Sequence, residues 1–249
     1  MQLLLASAKT MTGTAPARLP ETTEPPFLAQ ANAQARALQR YTVEELQGML
    51  GVNPEIALTT WKRYQHFFDN DGLVPAVFAY NGTVYQKLDA DTFSADDLRY
   101  ANSHLVIGTS LYGLLRPLDM VHRYRMDGHV VLPQNGVKMF NYWQPIVTDW
   151  FISKIKADDG ILVNIAAAEF QDLFDWKRVL KEVRVISPQF KVDKGGRLAT
   201  VVVYAKMCRG AMARWILKNR ITDVESLKAF EYEGFALDPS AGEWTFVNR

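Results

Sequence analysis

The chain has a single cysteine, Cys208. That excludes an intrachain disulfide and any metal site built from several thiolates, and it reads as an intracellular chain. No apolar run approaches the length of a membrane span. The opening MQLLLASAK is too short for a secretory signal, and its Lys9 follows the apolar stretch instead of preceding it. A cytoplasmic protein is expected, with no membrane contact. A charge excess is also missing. The formal net charge is +1, so composition carries no argument for nucleic acid, although a local basic patch would act through its own field. The familiar catalytic patterns are absent as well: no P-loop, no GxGxxG after a strand, no GxSxG elbow and no HExxH. His66, His104, His122 and His129 lack ligand spacing, so neither a metal nor a cofactor is expected.

What is present is an interleaving of apolar runs with helical patterns. Gln2 to Ala6, Leu105 to Thr109 and Ile161 to Ile165 read as buried strands, the last of them central. Leu28 to Arg40 reads as a helix. Thr42 with Glu45 three residues on forms a capping box for the next helix, Pro54 to Asp69 supplies a third, and Thr92 or Ser94 caps a fourth through Asn102. Tyr142 to Ala157 is helical, with Trp143 and Trp150 on one face. Phe170 to Leu180 and Ala211 to Asn219 complete the helices. Ala76 to Tyr80, Val183 to Ser187 and Leu198 to Tyr204 read as strands, and Phe230 to Leu237 with Trp244 to Val247 as a closing hairpin. No repeat or linker divides the chain. The expected fold class is a single mixed α/β or α+β domain over residues 1–249, with a central sheet and helices around it.

Three groups of residues carry the chemical interest. The first is the stretch from Gly108 to Gly128, GTSLYGLLRPLDMVHRYRMDG, with glycines, a proline and three arginines. Tyr112 to Leu115 reads as a helical turn ended by Arg116-Pro117. Asp119 then either pairs with Arg116 as a local loop fastener or leaves the Arg116 fork for a phosphate. The second is Arg197 to Arg220, which holds six basic residues and no acid. Here Arg209-Gly210 reads as the loop between a strand and a helix, an anion site at a helix N-terminus, while Lys218 and Arg220 suit the far dipole end. The third is Asn164 with Glu169, placed where strand C-termini carry sites in α/β sheets; alternatively, Glu169 only starts the next helix. Lys9 has the same position after the first strand. If these strands are parallel neighbours, Lys9, Asn164, Glu169, Lys206 and Arg209 converge on one positive cleft. Cys208, beside Arg209, reads as either a buried packing residue or a peroxide-reactive thiol.

Several blocks together resemble the peroxide stress protein YaaA family (UPF0246): ASAKTM at 6–11, YNGTVYQKL at 80–88, LYGLLRPLDMVHRYRMDG at 111–128, MFNYWQPIVTDW at 139–150, NIAAAEF at 164–170, YAKMCRGAMARWILKNR at 204–220 and YEGFALD at 232–238. The resemblance implies a cytoplasmic bacterial protein linked to survival of hydrogen peroxide and to limiting free iron. It also implies a mixed α/β fold with a positively charged cleft, a helix-hairpin-helix element and affinity for DNA. Leu111 to Asp119 is the candidate for that hairpin. The family's polar positions fall on Lys9, Thr10, Arg116, Asp119, Tyr124, Arg125, Asn164, Glu169, Lys206, Arg209 and Gly210. Two departures stand out. The family's Ser-Pro-Ala-Lys is Ala6-Ser7-Ala8-Lys9 here, and its Ser and Asp are Ala167 and Ala168.

The expected function is DNA binding in the peroxide response. Lys9, Thr10, Arg116, Tyr124, Arg125, Lys206, Arg209 and Gly210 would contact phosphate, with little sequence preference. The alternative is an enzyme on a phosphate- or nucleobase-bearing substrate, with Glu169 as general acid or base beside Lys9 and Asn164 orienting the substrate. Direct iron ligation fares worst, because one carboxylate among several cations opposes the metal's charge.

Overall fold

The computed structural model describes residues 1–17, 19–69, 71–132 and 136–249. In chain order its strands are β1 (Gln2–Ala6), β2 (Val74–Pro75), β3 (Leu105–Thr109), β4 (Gly113–Leu115), β5 (Met120–Val121), β6 (Val131–Leu132), β7 (Val137–Lys138), β8 (Ile161–Asn164), β9 (Arg184–Ile186), β10 (Gln189–Asp193), β11 (Leu198–Ala199), β12 (Phe235–Leu237) and β13 (Thr245–Asn248). Its helices are α1 (Leu28–Leu38), α2 (Val43–Leu50), α3 (Pro54–Gln65), α4 (Ala76–Ala79), α5 (Thr83–Leu88), α6 (Ala95–His104), α7 (Met139–Lys156), α8 (Trp176–Glu182) and α9 (Val202–Asn219).

The fold is mixed α/β. Its main sheet runs in the order β4-β3-β1-β8-β9. β3, β1, β8 and β9 are parallel, and β4 turns back antiparallel on β3. The strand at the centre is therefore β1, with Leu3 opposite both Leu105 and Val163. Leu3, Leu4 and Leu5 are buried, which is why β1 shows no polar alternation: a parallel sheet is covered on both faces. A second sheet, β11-β10-β13-β12, packs beside α9. One contiguous apolar cluster includes residues from Met1 to Phe246 and so joins both sheets.

Local chemistry sets the helix starts. The Thr42–Glu45 and Ser94–Asp97 capping boxes both close, and Asn53 caps α3 ahead of Pro54. Gly51 ends α2 in the left-handed region at φ 60°. Trp143 and Trp150 lie on one face of α7 and hold Phe27 between them, at ring separations of 6.1 and 5.9 Å.

Four expectations are corrected. Ala76 to Ala79 is helical, not a strand. Leu198 to Tyr204 pairs only over Leu198–Ala199, and Val202 already begins α9. There the β-branched run is overridden by Ala205, Cys208, Met212 and Ile216, which recur at helical spacing and are buried. Phe170 to Leu180 is two elements: a 3-10 segment over Ala168–Leu173, then α8 with its own Asp175 cap. Leu111 to Asp119 is preceded by β3 and followed by β5, with no helix on either side, so it is not the hairpin of a helix-hairpin-helix. Thr109 to Leu115 is a tight β-turn-β, and Gly113, at φ 68°, passes so close to Trp143 that an added Cβ would come within 2.7 Å of the indole.

Candidate functional site

Because β1 and β8 are parallel neighbours, the chain leaves both at the same edge of the sheet. The Ser7–Thr10 segment follows β1, and Ser7 N–H donates to Gly108 O (2.9 Å). The 3-10 segment follows β8. Its Phe170 and Leu173 are buried against Gly108, while Glu169, just ahead of Phe170, stays exposed. α9 crosses the same edge. Lys206 and Arg209, three residues apart, lie on one face of it. A cavity of about 330 Å³ results, lined by Lys9, Thr10, Thr83, Glu169, Lys206 and Arg209 among others. It adjoins a smaller recess, the two sharing walls at Ser7, Ala8, Lys9, Glu169 and Phe170; that recess adds Tyr124, Arg125 and Asp127.

Lys9, Thr10, Tyr124, Arg125, Glu169, Lys206 and Arg209 are thus brought together. Three expected members are not. Arg116 is held by Asp119 through Nε and Nη2 (3.0 and 2.8 Å), and it donates again to Glu24 O (2.7 Å). Asp119 is wholly buried and also accepts from Thr23 Oγ1 (2.6 Å), so the pair fastens the 21–26 segment to the loop after β4. Asn164 is buried, and its Oδ1 accepts from Ala166 N–H (3.2 Å) as a turn former. Gly210 lies inside α9, not in a loop before it. An added Cβ there would come 2.1 Å from Val84 O of α5, so Gly210 serves the α5–α9 crossing. No helix N-terminus exists at Arg209, since α9 begins two turns earlier.

The basic stretch divides in two. Lys218 and Arg220 both bind Asp97 (2.7 and 2.9 Å), and Arg214 reaches Asp89 (3.3 Å). Among the described residues, no hydrogen bond or ion pair engages the side chain of Lys206 or Arg209. Burial lowers the Arg209 pKa, and an anion in the cavity would relieve that penalty. Cys208 is fully buried within α9, and burial pushes its thiol up to about 12. The folded protein therefore presents no thiolate to peroxide.

Carboxylates and hydroxyls complete the walls. Lys9 forms an ion pair with Asp127. Burial raises the Asp127 pKa, but hydrogen bonds from Lys9 and His129 N–H overcome it, with a net lowering. His129 Nε2 stands 3.9 Å from Glu169. At the floor, the Tyr124 hydroxyl meets the Tyr80 hydroxyl at 2.9 Å, with the Thr109 and Ser7 hydroxyls as neighbours that stabilise its charged form. Burial raises the Tyr124 pKa while these hydroxyls pull it back, so Tyr124 is a neutral donor and acceptor at pH 7. Sequence reading missed Ser7, Thr83, Asp127 and His129 at this site. Asp127-Gly128 carried a signal as a turn: Gly128 is packed on Phe140, 2.2 Å from where a Cβ would lie, which fixes the carboxylate beside Lys9.

A family model described as peroxide stress protein YaaA matches residues 1–241. The chain belongs to that family. Relatives match it over nearly their full length. A UPF0246 protein of Phocaeicola vulgatus is 48% identical over 240 residues, covering 96% of this chain and 94% of the relative. One of Bacteroides fragilis is 49% identical over 247 residues, covering 98% and 96%. One of Neisseria meningitidis is 32% identical over 255 residues, covering 99% and 98%. The expected YaaA resemblance is thereby shown, and it places the chain among peroxide stress proteins. For this YaaA member, no group of three His, Cys, Asp or Glu side chains gathers as a metal site among the described residues. No helix among them is long and apolar enough to cross a membrane.

Proposed function

We propose that this cleft grips the phosphate backbone of DNA, and that through this contact the protein protects DNA from peroxide damage linked to intracellular iron. One observation carries the reading: Lys206 and Arg209 enter a concave site already lined by Lys9 and Arg125, without a carboxylate partner of their own. Cations within low-dielectric walls concentrate field on an anion, and guanidinium forks suit phosphate oxygens. Contacts to backbone alone give little sequence preference. The test is duplex affinity across a NaCl titration. Log K is expected to fall with log salt by about 0.9 per phosphate neutralised, and K206Q/R209Q should reduce that slope by roughly two such steps. A flat salt dependence in the wild type would overturn the proposal.

A second reading draws on Glu169. Its carboxylate stands near His129 at the entrance to a recess whose floor carries the Ser7 and Tyr124 hydroxyls. That set suits proton transfer on a bound nucleotide, with Glu169 as acid or base and Lys9 stabilising developing negative charge. Asn164, bonded to its own turn, takes no part. E169Q that binds DNA as the wild type does yet fails to protect cells from peroxide would favour this reading. Full protection by E169Q would end it.

A further inference from the structure

The basic surface does not stop at the cleft. After β5 the chain from His122 to Asp127 alternates: Tyr124 and Met126 turn inward and are buried, while Arg123 and Arg125 turn outward. Arg125 Nη1 donates to Lys9 O (3.1 Å) and so borders the cleft. Arg123 lies over Gly13; a Cβ added to that glycine would come 3.2 Å from the guanidinium carbon. Arg63, near the end of α3, reaches the same segment, with Nη1 3.4 Å from Tyr124 O. Arg63 is desolvated by burial and then repelled by Arg123 and Arg125, and all three effects lower its pKa. A recess of about 150 Å³ opens between Arg63, Arg123, His66 and His122. Asp71 stands on its rim, yet no carboxylate comes within ion-pair distance of Arg63, Arg123 or Arg125 among the described residues.

Three guanidinium groups held together without a counter-charge oppose folding by mutual repulsion. A bound anion removes that opposition. We infer that Arg63, Arg123 and Arg125 form a second phosphate site continuous with the cleft, so that the ligand is a nucleic-acid strand spanning several phosphates rather than a single nucleotide. This rests on the cleft's reading as a DNA site and specifies its ligand. Arg125 is the joint between the two halves: its guanidinium donates to Lys9 O (3.1 Å), and its carbonyl accepts from the hydroxyl of Tyr64, the residue after Arg63 (2.8 Å). The position of Arg63 on α3 makes the strand's path cross from the sheet edge onto the helical layer.

The test compares wild type, R63Q/R123Q and K206Q/R209Q on two probes, an oligodeoxythymidylate of about 20 nucleotides and free thymidine monophosphate, each across a NaCl titration. R63Q/R123Q is expected to bind the long strand about tenfold more weakly, with a salt slope shallower by about two phosphate steps and monophosphate affinity unchanged. Arg123 is exposed, so R123Q alone leaves the fold intact and should show about half of the change in slope. Wild-type affinity and slope on the long strand for both R63Q/R123Q and R123Q would overturn the second site. If K206Q/R209Q were weakened in the same experiment, the cleft reading would survive that result. Equal losses on strand and monophosphate in R63Q/R123Q would also overturn it, because all these cations would then serve one phosphate. A wild-type protein whose affinity for both this strand and a duplex ignores salt would bring down both proposals together.

Discussion

At the scale of single residues, Gly210 shows how far a motif's chemistry depends on where the chain puts it. Beside Arg209 and ahead of an apolar helix, it has the composition of an anion-binding loop. In the fold it is the point where α9 crosses α5, with Val84 O where a side chain would start. Alanine ordinarily stabilises a helix interior by up to about 1 kcal/mol over glycine. Here the methyl must push two helices apart, and Gly210→Ala is expected to destabilise the protein by about 2 kcal/mol, lowering Tm by roughly 4–8 °C. Gly48, inside α2 with nothing within 4 Å of its added Cβ, is the control. Gly48→Ala should leave Tm unchanged or raise it. Equal behaviour of the two variants in a thermal melt would contradict the crossing. The Arg116 expectation failed for a related reason: sequence shows a charge but not its partner. Asp119, three residues on, takes both the guanidinium and the Arg116 backbone N–H (2.6 Å), and no spacing separates that closed arrangement from an open fork.

At the scale of elements, the joint between α6 and α9 rests on one carboxylate. Asp97 closes the capping box with Ser94 and also receives Lys218 and Arg220 from the end of α9. Burial pushes its pKa up, but hydrogen bonds from Lys218 and Ser94 win and hold it well below the usual carboxylate range. The folded pKa therefore lies below the unfolded one. The stabilisation is present above the unfolded value of about 3.9 and is lost as pH falls through the folded value. Asp97→Asn keeps a side-chain oxygen able to accept from Ser94 N–H and removes the charge, so it should cost about 2 kcal/mol at pH 7. Urea midpoints should converge with wild type as pH is lowered below about 4; a gap that widens in acid would refute the assignment. The cap at Thr42 was legible in the sequence because a capping box is complete within four residues, whereas Thr92 and Ser94 were equal candidates until the fold chose Ser94. The three central strands were legible because burial on both faces leaves an unbroken apolar run. α9 was legible only in its second half. Val201 to Tyr204 favour a strand by local preference, and what overrides them is packing against α5 and the second sheet, which no local window contains.

At the scale of the whole molecule, a net charge of +1 conceals an uneven distribution. Many acids are committed locally: Asp97 to Lys218 and Arg220, Asp119 to Arg116, Asp89 to Arg214, and Asp149 with Glu182 to Arg178. Among the described residues, one run of cations without ion-pair partners follows a single track, from Lys206 and Arg209 past Arg125 to Arg123 and Arg63. Convergence at the ends of β1 and β8 could be anticipated, because parallel neighbours deliver their following loops to one edge. The extension toward Arg63 could not, because α3 joins it only through tertiary packing. The distinction between local field and total charge is measurable. Each Lys or Arg to Glu reversal removes two units of charge, so K206E/R209E and K194E/R197E both shift the total from +1 to −3. Lys194 and Arg197 are exposed on the β10–β11 turn and do not line the cleft. If binding followed net charge, the two variants would lose affinity alike. If it follows the field of the cleft, K206E/R209E should lose at least about a hundredfold in duplex affinity at low salt while K194E/R197E stays within a few-fold of wild type. Parallel losses in the two proteins would mean that the cleft has no privileged place in binding.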